Sequence, residues 1–241
     1  SLYEKKLITY PRTGSRYVGE DIFEEIPSLI ENLHIHPIFG NYARMLSKKT
    51  LNRRSVNDVK VTDHHALLIT ENLPDRLTAD EQIIYDCIAS RMLEAFSEKS
   101  TQEVQNVEFT VGEYLFKTKN SRLLVSGWRS VLNEKTETDE NETVQSELPN
   151  FIQDETVPVQ SHEITQHKTK PKPLYNEATL LSAMETAGKD IADEEAKAAM
   201  KECGLGTPAT RAGIIETLII RDYIVREKKS LVPTEKGLAV F

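Results

Sequence analysis

The chain has 241 residues, 39% of them hydrophobic, and a formal net charge of −8 at pH 7. That length suffices for two or three modest domains with real cores. No apolar run approaches the roughly 20 residues of a membrane-spanning helix, and the N-terminus lacks the apolar block of a signal peptide, so a cytoplasmic protein without membrane contact is expected.

The negative charge is concentrated in one tract. Residues 133–155 carry eight acidic side chains against one lysine, which is −7 of the total −8. The rest of the chain is almost neutral, so a basic cleft for nucleic acid is possible. The tract itself is typical of a solvated loop without chemistry. Cys87 and Cys203 have no metal spacing and are interpreted as ordinary thiols.

Tyr10 and Arg12 stand on either side of Pro11 near the N-terminus. A phenol is a weak nucleophile at its usual pKa of about 10, so phosphoryl chemistry on it needs a cation that holds the phosphate. A guanidinium supplies a planar fork for that purpose. Pro11 stiffens the segment and favours extended geometry at Tyr10. Tyr10 and Arg12 are therefore a candidate nucleophile and a candidate phosphate clamp.

The same stretch has a purely structural interpretation. Leu7, Ile8 and Tyr10 would end a strand in a core, and Ser15 or Gly19 would begin the next helix. A short motif by itself does not decide between the two interpretations.

Residues 20–33 predict an amphipathic helix that Pro27 kinks or divides. Its apolar face comprises Ile22, Phe23, Ile26, Leu29, Ile30 and Leu33. His34 and His36 follow, and without a third ligand they favour core or solvated histidines over a metal site. The basic run Lys48, Lys49, Arg53 and Arg54 is typical of a wet surface and also suits a phosphate backbone.

Two adjacent histidines, His64 and His65, lie in the stretch 61–70. Neighbouring side chains point in different directions, so at most one is expected to face a given site. An imidazole near a tyrosyl phosphate can donate a hydrogen bond or relay a proton. The alternative is a capped histidine at the start of a strand or helix.

In the middle of the chain, the spacing of hydrophobic residues changes from that of a helix to that of strands. Residues 78–81 form a capping box that opens a core helix bearing Ile84, Tyr85, Ile88, Met92 and Phe96. Residues 103–131 then predict antiparallel strands separated at Gly112, Asn120 and Gly127. Residues 148–164 are predicted to continue in that style, with Val157 and Val159 alternating.

A stiff basic connector at 165–174 marks a domain boundary. Beyond it, Asn176 is predicted to cap a helix that Gly188 closes, and residues 194–200 predict another short helix.

The Gly-rich turn at 204–206 predicts a helix with Thr207 as N-cap and Pro208 at its first position. Such an N-terminus is suited to a DNA phosphate. Residues 223–225 and 231–233 predict a hairpin with Arg226, Lys228 and Lys229 at its tip, before a helix start at Thr234. That order is typical of a winged helix-turn-helix end. The turn lacks the residues of a nucleotide P-loop.

These blocks together resemble the type IA DNA topoisomerases, and among them the topoisomerase III kind. The matching stretches follow the family order: LITYPRT at 7–13, VTDHHA at 61–66, KPKPLYNEATLL at 170–181 with 184–185 and 188–189, then 204–212 and PTEKG at 233–237. The resemblance covers nearly the whole chain. It implies an α+β, multidomain architecture: a mostly helical tyrosine domain (1–98), a β-rich arch or hinge domain (99–168), and a helical, winged-helix-like DNA-groove domain (169–241).

The resemblance also implies roles. Tyr10 matches the nucleophile that attacks single-stranded DNA and keeps the 5′-phosphate, and Arg12 and His64 match residues that contact the scissile phosphate. The expected DNA-binding residues are Arg12, Thr13, Ser15, Thr207, Thr210 and Arg211. Resealing needs no ATP, because the phosphotyrosine conserves the bond energy.

Two departures from the family pattern stand out. The family usually has Asp where this chain has Gly14, so that carboxylate is absent here. Nothing in the chain resembles the N-terminal TOPRIM domain, whose acidic residues hold Mg²⁺ in these enzymes. The chain is therefore expected to be a piece of a longer bacterial, nucleoid-associated enzyme, with no metal site of its own and no activity alone.

A further expectation concerns packing. Residues 99–168 should expose an unpaired sheet edge or an apolar face that self-association relieves. Two other functions are compatible with the sequence: a non-enzymatic winged-helix protein that binds duplex DNA, and a protein-interaction module built on the acidic tract.

Overall fold

The computed structural model describes residues 1–61, 63–132, 150–187, 195 and 204–240. The chain divides into two compact units, residues 1–157 and 158–241. Helices and antiparallel strands occur in both, which confirms the mixed α+β class. The finer three-domain division stays a prediction.

Three helices build the core of the first unit: α1 (Glu20–Asn32), α2 (Gly40–Leu46) and α3 (Ala79–Phe96). The predicted apolar face of α1 is confirmed, with Ile26, Leu29 and Ile30 buried. Of the two predicted effects of Pro27, a kink or a division of the helix, the division is wrong and the kink stays a prediction. Pro27 lies on the exposed side of one continuous helix, where the carbonyl that loses its N–H partner can bond to water.

Helix α3 begins as predicted. The Thr78 side chain accepts from the Glu81 N–H, and the Glu81 carboxylate accepts from the Thr78 N–H, which completes the capping box. Tyr85 is 1% exposed, and burial, followed by the nearby Asp86 carboxylate, raises the pKa of its phenol to about 12. The fully buried aromatic side chains of this core are Phe39, Tyr85 and Phe96.

A long hairpin follows α3. Strands β1 (Thr101–Val111) and β2 (Tyr114–Val125) pair antiparallel, from Thr101 opposite Val125 to Val111 opposite Tyr114. The turn at Gly112 is confirmed, but Asn120 does not interrupt the strand as predicted, because it pairs with Gln105 inside the ladder.

The predicted strands at 148–164 are wrong for the described residues 150–164, which form no strand. The alternation of Val157 and Val159 has no neighbouring strand there to pair with, and pairing is what makes an extended segment a strand. In the described part of the first unit, the sheet therefore contains β1 and β2 alone, with their outer edges unpaired. Among the described residues, the expected unpaired edge is present, whereas its relief by self-association stays a prediction.

The second unit contains α4 (Glu177–Glu185), α5 (Arg211–Ile220), β3 (Ile224–Glu227), β4 (Ser230–Pro233) and α6 (Glu235–Val240). The Asn176 cap is confirmed, since its side chain accepts from the Thr179 N–H. The predicted hairpin is confirmed as β3 paired with β4. The small core of the second unit contains the buried residues Met184, Ile215 and Leu231.

Two details of this unit differ from the prediction. Pro208 is not the first residue of a helix: residues 208–210 form a turn, and α5 begins at Arg211. In this turn the Thr207 N–H donates to Thr210 Oγ1 at 2.8 Å, and the Thr210 and Arg211 N–H groups both donate to the Thr207 carbonyl at 3.0 Å, so the turn leads directly into α5. Arg226 is not at the hairpin tip but inside β3, where it pairs with Glu177 of α4 and Glu216 of α5.

Some predicted features lie outside the described residues: the acidic tract at 133–149, Gly188, the helix at 194–200, Cys203 and Thr62. Within the described part, no helix is both long and apolar enough to span a membrane.

Candidate active site

Two stretches of the first unit lie side by side: the tyrosine block, residues 7–17, and the histidine block, residues 61–70. Ile8 forms an antiparallel bridge with Ile69, and the Thr9 N–H donates to the Leu68 carbonyl at 2.9 Å. Further along, the Ala66 N–H donates to the Tyr17 carbonyl at 2.8 Å. The histidine block is thus bonded at both ends to the tyrosine block.

This arrangement brings the Tyr10 and His64 rings together. Their centroids are 4.6 Å apart with the planes tilted by 49°. Tyr10 is half-buried, unlike the core residues Leu7 and Ile8 before it, so the interpretation of Tyr10 as a core residue is wrong. Tyr3 approaches from another side, with its ring centroid 5.4 Å from that of Tyr10 in an edge-to-face geometry.

The two histidines differ in their surroundings. His64 is exposed and contacts Tyr10. His65 is half-buried, and its Nδ1 lies 2.7 Å from the carbonyl oxygen of Ala66, a local contact. As expected for adjacent side chains, only the His64 ring faces Tyr10.

Arg12 is exposed, and none of the described residues forms an ion pair or hydrogen bond with its guanidinium. All its donors are therefore available to an external anion. By contrast, Arg53 pairs with Glu20, and Arg91 pairs with Glu94 at 2.7 Å.

Thr13 and Ser15 use their hydroxyls within the protein. Thr13 Oγ1 donates to the His64 carbonyl at 3.0 Å and accepts from the Ser15 N–H at 3.1 Å. Ser15 Oγ lies 3.2 Å from the carbonyl oxygens of Tyr17 and Lys60. These contacts fix the turn that joins the Tyr10 segment to the residues beside it.

The other predicted DNA-binding residues lie in the second unit. Thr207 and Thr210 bond to each other, and Arg211 Nε donates to the Leu205 carbonyl at 3.1 Å. The Thr207, Thr210 and Arg211 N–H groups all bond within this turn, so they are not the open phosphate cradle that the sequence predicts.

The described residues do not fit a metal ion on their own, since they contain no group of three or more His, Cys, Asp or Glu side chains that could hold one. His36, one of the two histidines weighed as ligands, is instead buried against Phe39 and bonded to Asp86 at 3.1 Å.

Sequence reasoning missed Tyr3 and Lys60 as neighbours of the site. Lys60 Nζ bonds to the Tyr17 hydroxyl at 3.2 Å and lies 4.7 Å from the centroid of its ring. Neither residue stands in a periodic pattern or a motif. Their proximity depends on chain turns for which the sequence carries no signal.

Comparison with known proteins supplies the identification. A profile of the DNA topoisomerase family matches residues 1–241. The chain is 36% identical to DNA topoisomerase 3 of Bacillus licheniformis, covering 98% of this chain and 33% of that protein. It is 35% identical to DNA topoisomerase 3 of Bacillus subtilis, covering 98% and 34%. The fold matches full-length topoisomerase I from Thermotoga maritima with a TM-score of 0.61 at 22% identity, over 97% of this chain and 34% of that one.

The chain therefore belongs to the type IA DNA topoisomerase family, with relatives of the topoisomerase 3 kind. It spans about a third of the length of the curated relatives that it matches.

Proposed function

We propose that this chain carries the tyrosine nucleophile of a topoisomerase that cuts and reseals single-stranded DNA. The observation that carries the proposal is the ring contact between the half-buried Tyr10 and His64. Arg12 lies two residues after Tyr10, and its guanidinium has no partner among the described residues. A guanidinium two residues from the phenol can hold the phosphate that the phenol attacks.

The proposed step is a transesterification. Tyr10 Oη bonds to the phosphorus of one phosphodiester, and the bond from phosphorus to the 3′-oxygen breaks. The phenol loses its proton and the leaving 3′-oxygen gains one. Arg12 holds the phosphate oxygens, and His64 donates a hydrogen bond to the same group. The reverse attack by the 3′-hydroxyl reseals the strand without ATP, after another strand has passed.

Mg²⁺ is expected to assist this reaction in the longer enzyme, through ligands that the described residues do not supply. We expect the isolated chain neither to cleave nor to relax DNA. Action on bacterial DNA would place the enzyme in the cytoplasm with the nucleoid.

A chimaera tests the proposal. The chain replaces the matching third of the Bacillus licheniformis DNA topoisomerase 3, and relaxation of a negatively supercoiled plasmid is measured. We expect relaxation by the chimaera and a loss of at least about 1,000-fold in Tyr10→Phe, because the nucleophile is removed.

Tyr3→Phe is the matched control, since it removes a hydroxyl from the ring that contacts Tyr10 and should leave relaxation within severalfold. Relaxation by the Tyr10→Phe chimaera at the rate of the parent chimaera would refute the proposal.

A further inference from the structure

A cleft of about 400 Å³ opens on the first unit. Its lining includes Arg16, Arg54, Lys99, Ser100, Trp128 and Glu94. The volume falls within the range of small-molecule binding sites. None of these residues belongs to the candidate active site, although Arg16 and Tyr17, which also lines the cleft, end the tyrosine block.

The charge of the lining favours an anion. Three side chains are cationic, and the one carboxylate, Glu94, is already paired with Arg91 at 2.7 Å. Within the described residues, the Arg54 guanidinium and the Lys99 ammonium have no ion-pair partner. Ser100 Oγ is a further polar group in the lining without a hydrogen-bond partner there, which is unusual for a buried hydroxyl.

Trp128 adds a second aromatic side chain to the lining, besides Tyr17. Trp128 is half-buried, with the Arg129 guanidinium 5.3 Å from the centroid of its ring. A partly exposed indole beside cations is the combination that single-stranded nucleic acid binding uses, because bases stack on the ring while cations follow the phosphates.

The cleft is built on a rigid frame. Ser97, which is 1% exposed, accepts from the Tyr42 hydroxyl at 2.9 Å, and its carbonyl accepts from Asn52 Nδ2 at 3.0 Å. The Trp128 backbone N–H donates to the Glu98 carbonyl at 2.9 Å. These bonds fix the backbone that carries Trp128 at the base of the hairpin, so little backbone ordering is needed when a ligand binds.

We propose that this Trp128 cleft is a second nucleotide subsite, separate from Tyr10, in which Arg54 and Lys99 hold a phosphate and the Trp128 indole stacks on its base. The choice of a nucleotide over another anion rests on the proposed function. The chemistry is common to a nucleotide within a DNA single strand and to a free mononucleotide, and the strand is favoured because the cleft adjoins the tyrosine block.

Intrinsic fluorescence gives a direct test, because Trp128 is the only tryptophan in the chain. The isolated chain is titrated with an oligo(dT) of about eight nucleotides and, separately, with thymidine monophosphate. We expect the oligomer to quench Trp128. Arg54→Gln and Lys99→Gln should each raise the dissociation constant about tenfold and lower the magnitude of the salt slope by about 0.7.

Lys117→Gln is the matched control. This variant removes one positive charge, as Arg54→Gln and Lys99→Gln do. Lys117 lies seven residue pairs from the base of the hairpin, which is about 23 Å along the strand from that base. The variant should change the dissociation constant less than twofold. Far-UV circular dichroism checks that the variants keep their fold.

Each outcome decides the proposal. If only the oligomer quenches Trp128, and Arg54→Gln and Lys99→Gln weaken its binding, the cleft is a subsite for a DNA strand. If the mononucleotide quenches Trp128 and the same two variants weaken its binding, the cleft is a site for a free nucleotide. An absence of quenching with both ligands, or equal loss in Lys117→Gln, overturns the proposal. The quenching reports binding at Trp128 and not cleavage at Tyr10, so this site and the proposed function can fail separately.

Discussion

At the residue scale, the contact between Tyr10 and His64 joins positions 54 residues apart in sequence. The residue types were predictable, because a phenol near a guanidinium and an imidazole points to phosphoryl chemistry. The geometry was not. It depends on the bridge between Ile8 and Ile69, which sets the register of two short extended segments.

Gly127 is the residue whose replacement should be most costly at the base of the hairpin. Its φ is 51°, and an added Cβ would lie 2.4 Å from the Lys99 carbonyl oxygen and 2.5 Å from that of Glu98. Backbone oxygens cannot move aside cheaply, and the positive φ itself costs about 1–2 kcal/mol for a side chain. We expect Gly127→Ala to lower the free energy of unfolding by more than about 2 kcal/mol, measured by urea denaturation with Trp128 fluorescence.

Gly112→Ala is the control, because Gly112 has a similar φ of 59° with no atom within 4 Å of the added Cβ. It should cost only about 1–2 kcal/mol, from the positive φ, and so less than Gly127→Ala. Equal decreases in the free energy of unfolding of the two variants would show that the close backbone contact at Gly127 does not add to the cost of a side chain.

At the element scale, local chemistry was predictable and pairing was not. The caps at Thr78 and Asn176 follow from side chains that bond to N–H groups three residues away. The strands predicted at 148–164 are absent from the described residues 150–164, because alternation shows which faces a segment has, but not whether a neighbouring strand exists. Pro208 was misplaced by a few residues, because a turn at residues 208–210 precedes the first residue of α5, Arg211, and helix boundaries are the least predictable part of an element.

The hairpin β1–β2 makes a prediction of its own. Its edges are unpaired among the described residues, and Val104, Leu115 and Phe116 are about half exposed. A two-stranded sheet with exposed apolar side chains is marginal in water and recruits further strands. We expect the isolated chain to self-associate in sedimentation velocity, and Phe116→Lys to raise the dissociation constant of the assembly about tenfold or more.

Thr118→Lys controls for charge, because residue 118 is exposed and lies on the same face of β2 as residue 116. It adds the same cation without removing apolar surface. A chain that stays monomeric at every accessible concentration, or one that Thr118→Lys dissociates equally, would argue against association through the hairpin.

At the scale of the whole molecule, the order of the motif blocks is more informative than any one block. The tyrosine stretch alone is compatible with a purely structural role and does not identify a family. The match of the family profile to residues 1–241 does identify the family. Composition alone points away from DNA, because the net charge is −8. The basic residues nevertheless gather locally, as at the Trp128 cleft, while most of the negative charge is in one tract.

The central claim is that Tyr10 Oη becomes bonded to a 5′-phosphate. The most direct measurement uses a single-stranded oligonucleotide in two forms, one labelled at its 5′ end and one at its 3′ end. The reaction of the chimaera with each form is stopped with denaturant, and the modified peptide is mapped by mass spectrometry. We predict an adduct that carries the 3′ label, because the 5′-phosphate belongs to the downstream fragment, with the added mass on Tyr10. An adduct on Tyr3 or Tyr17, one that carries the 5′ label, or one that persists in Tyr10→Phe would contradict the account.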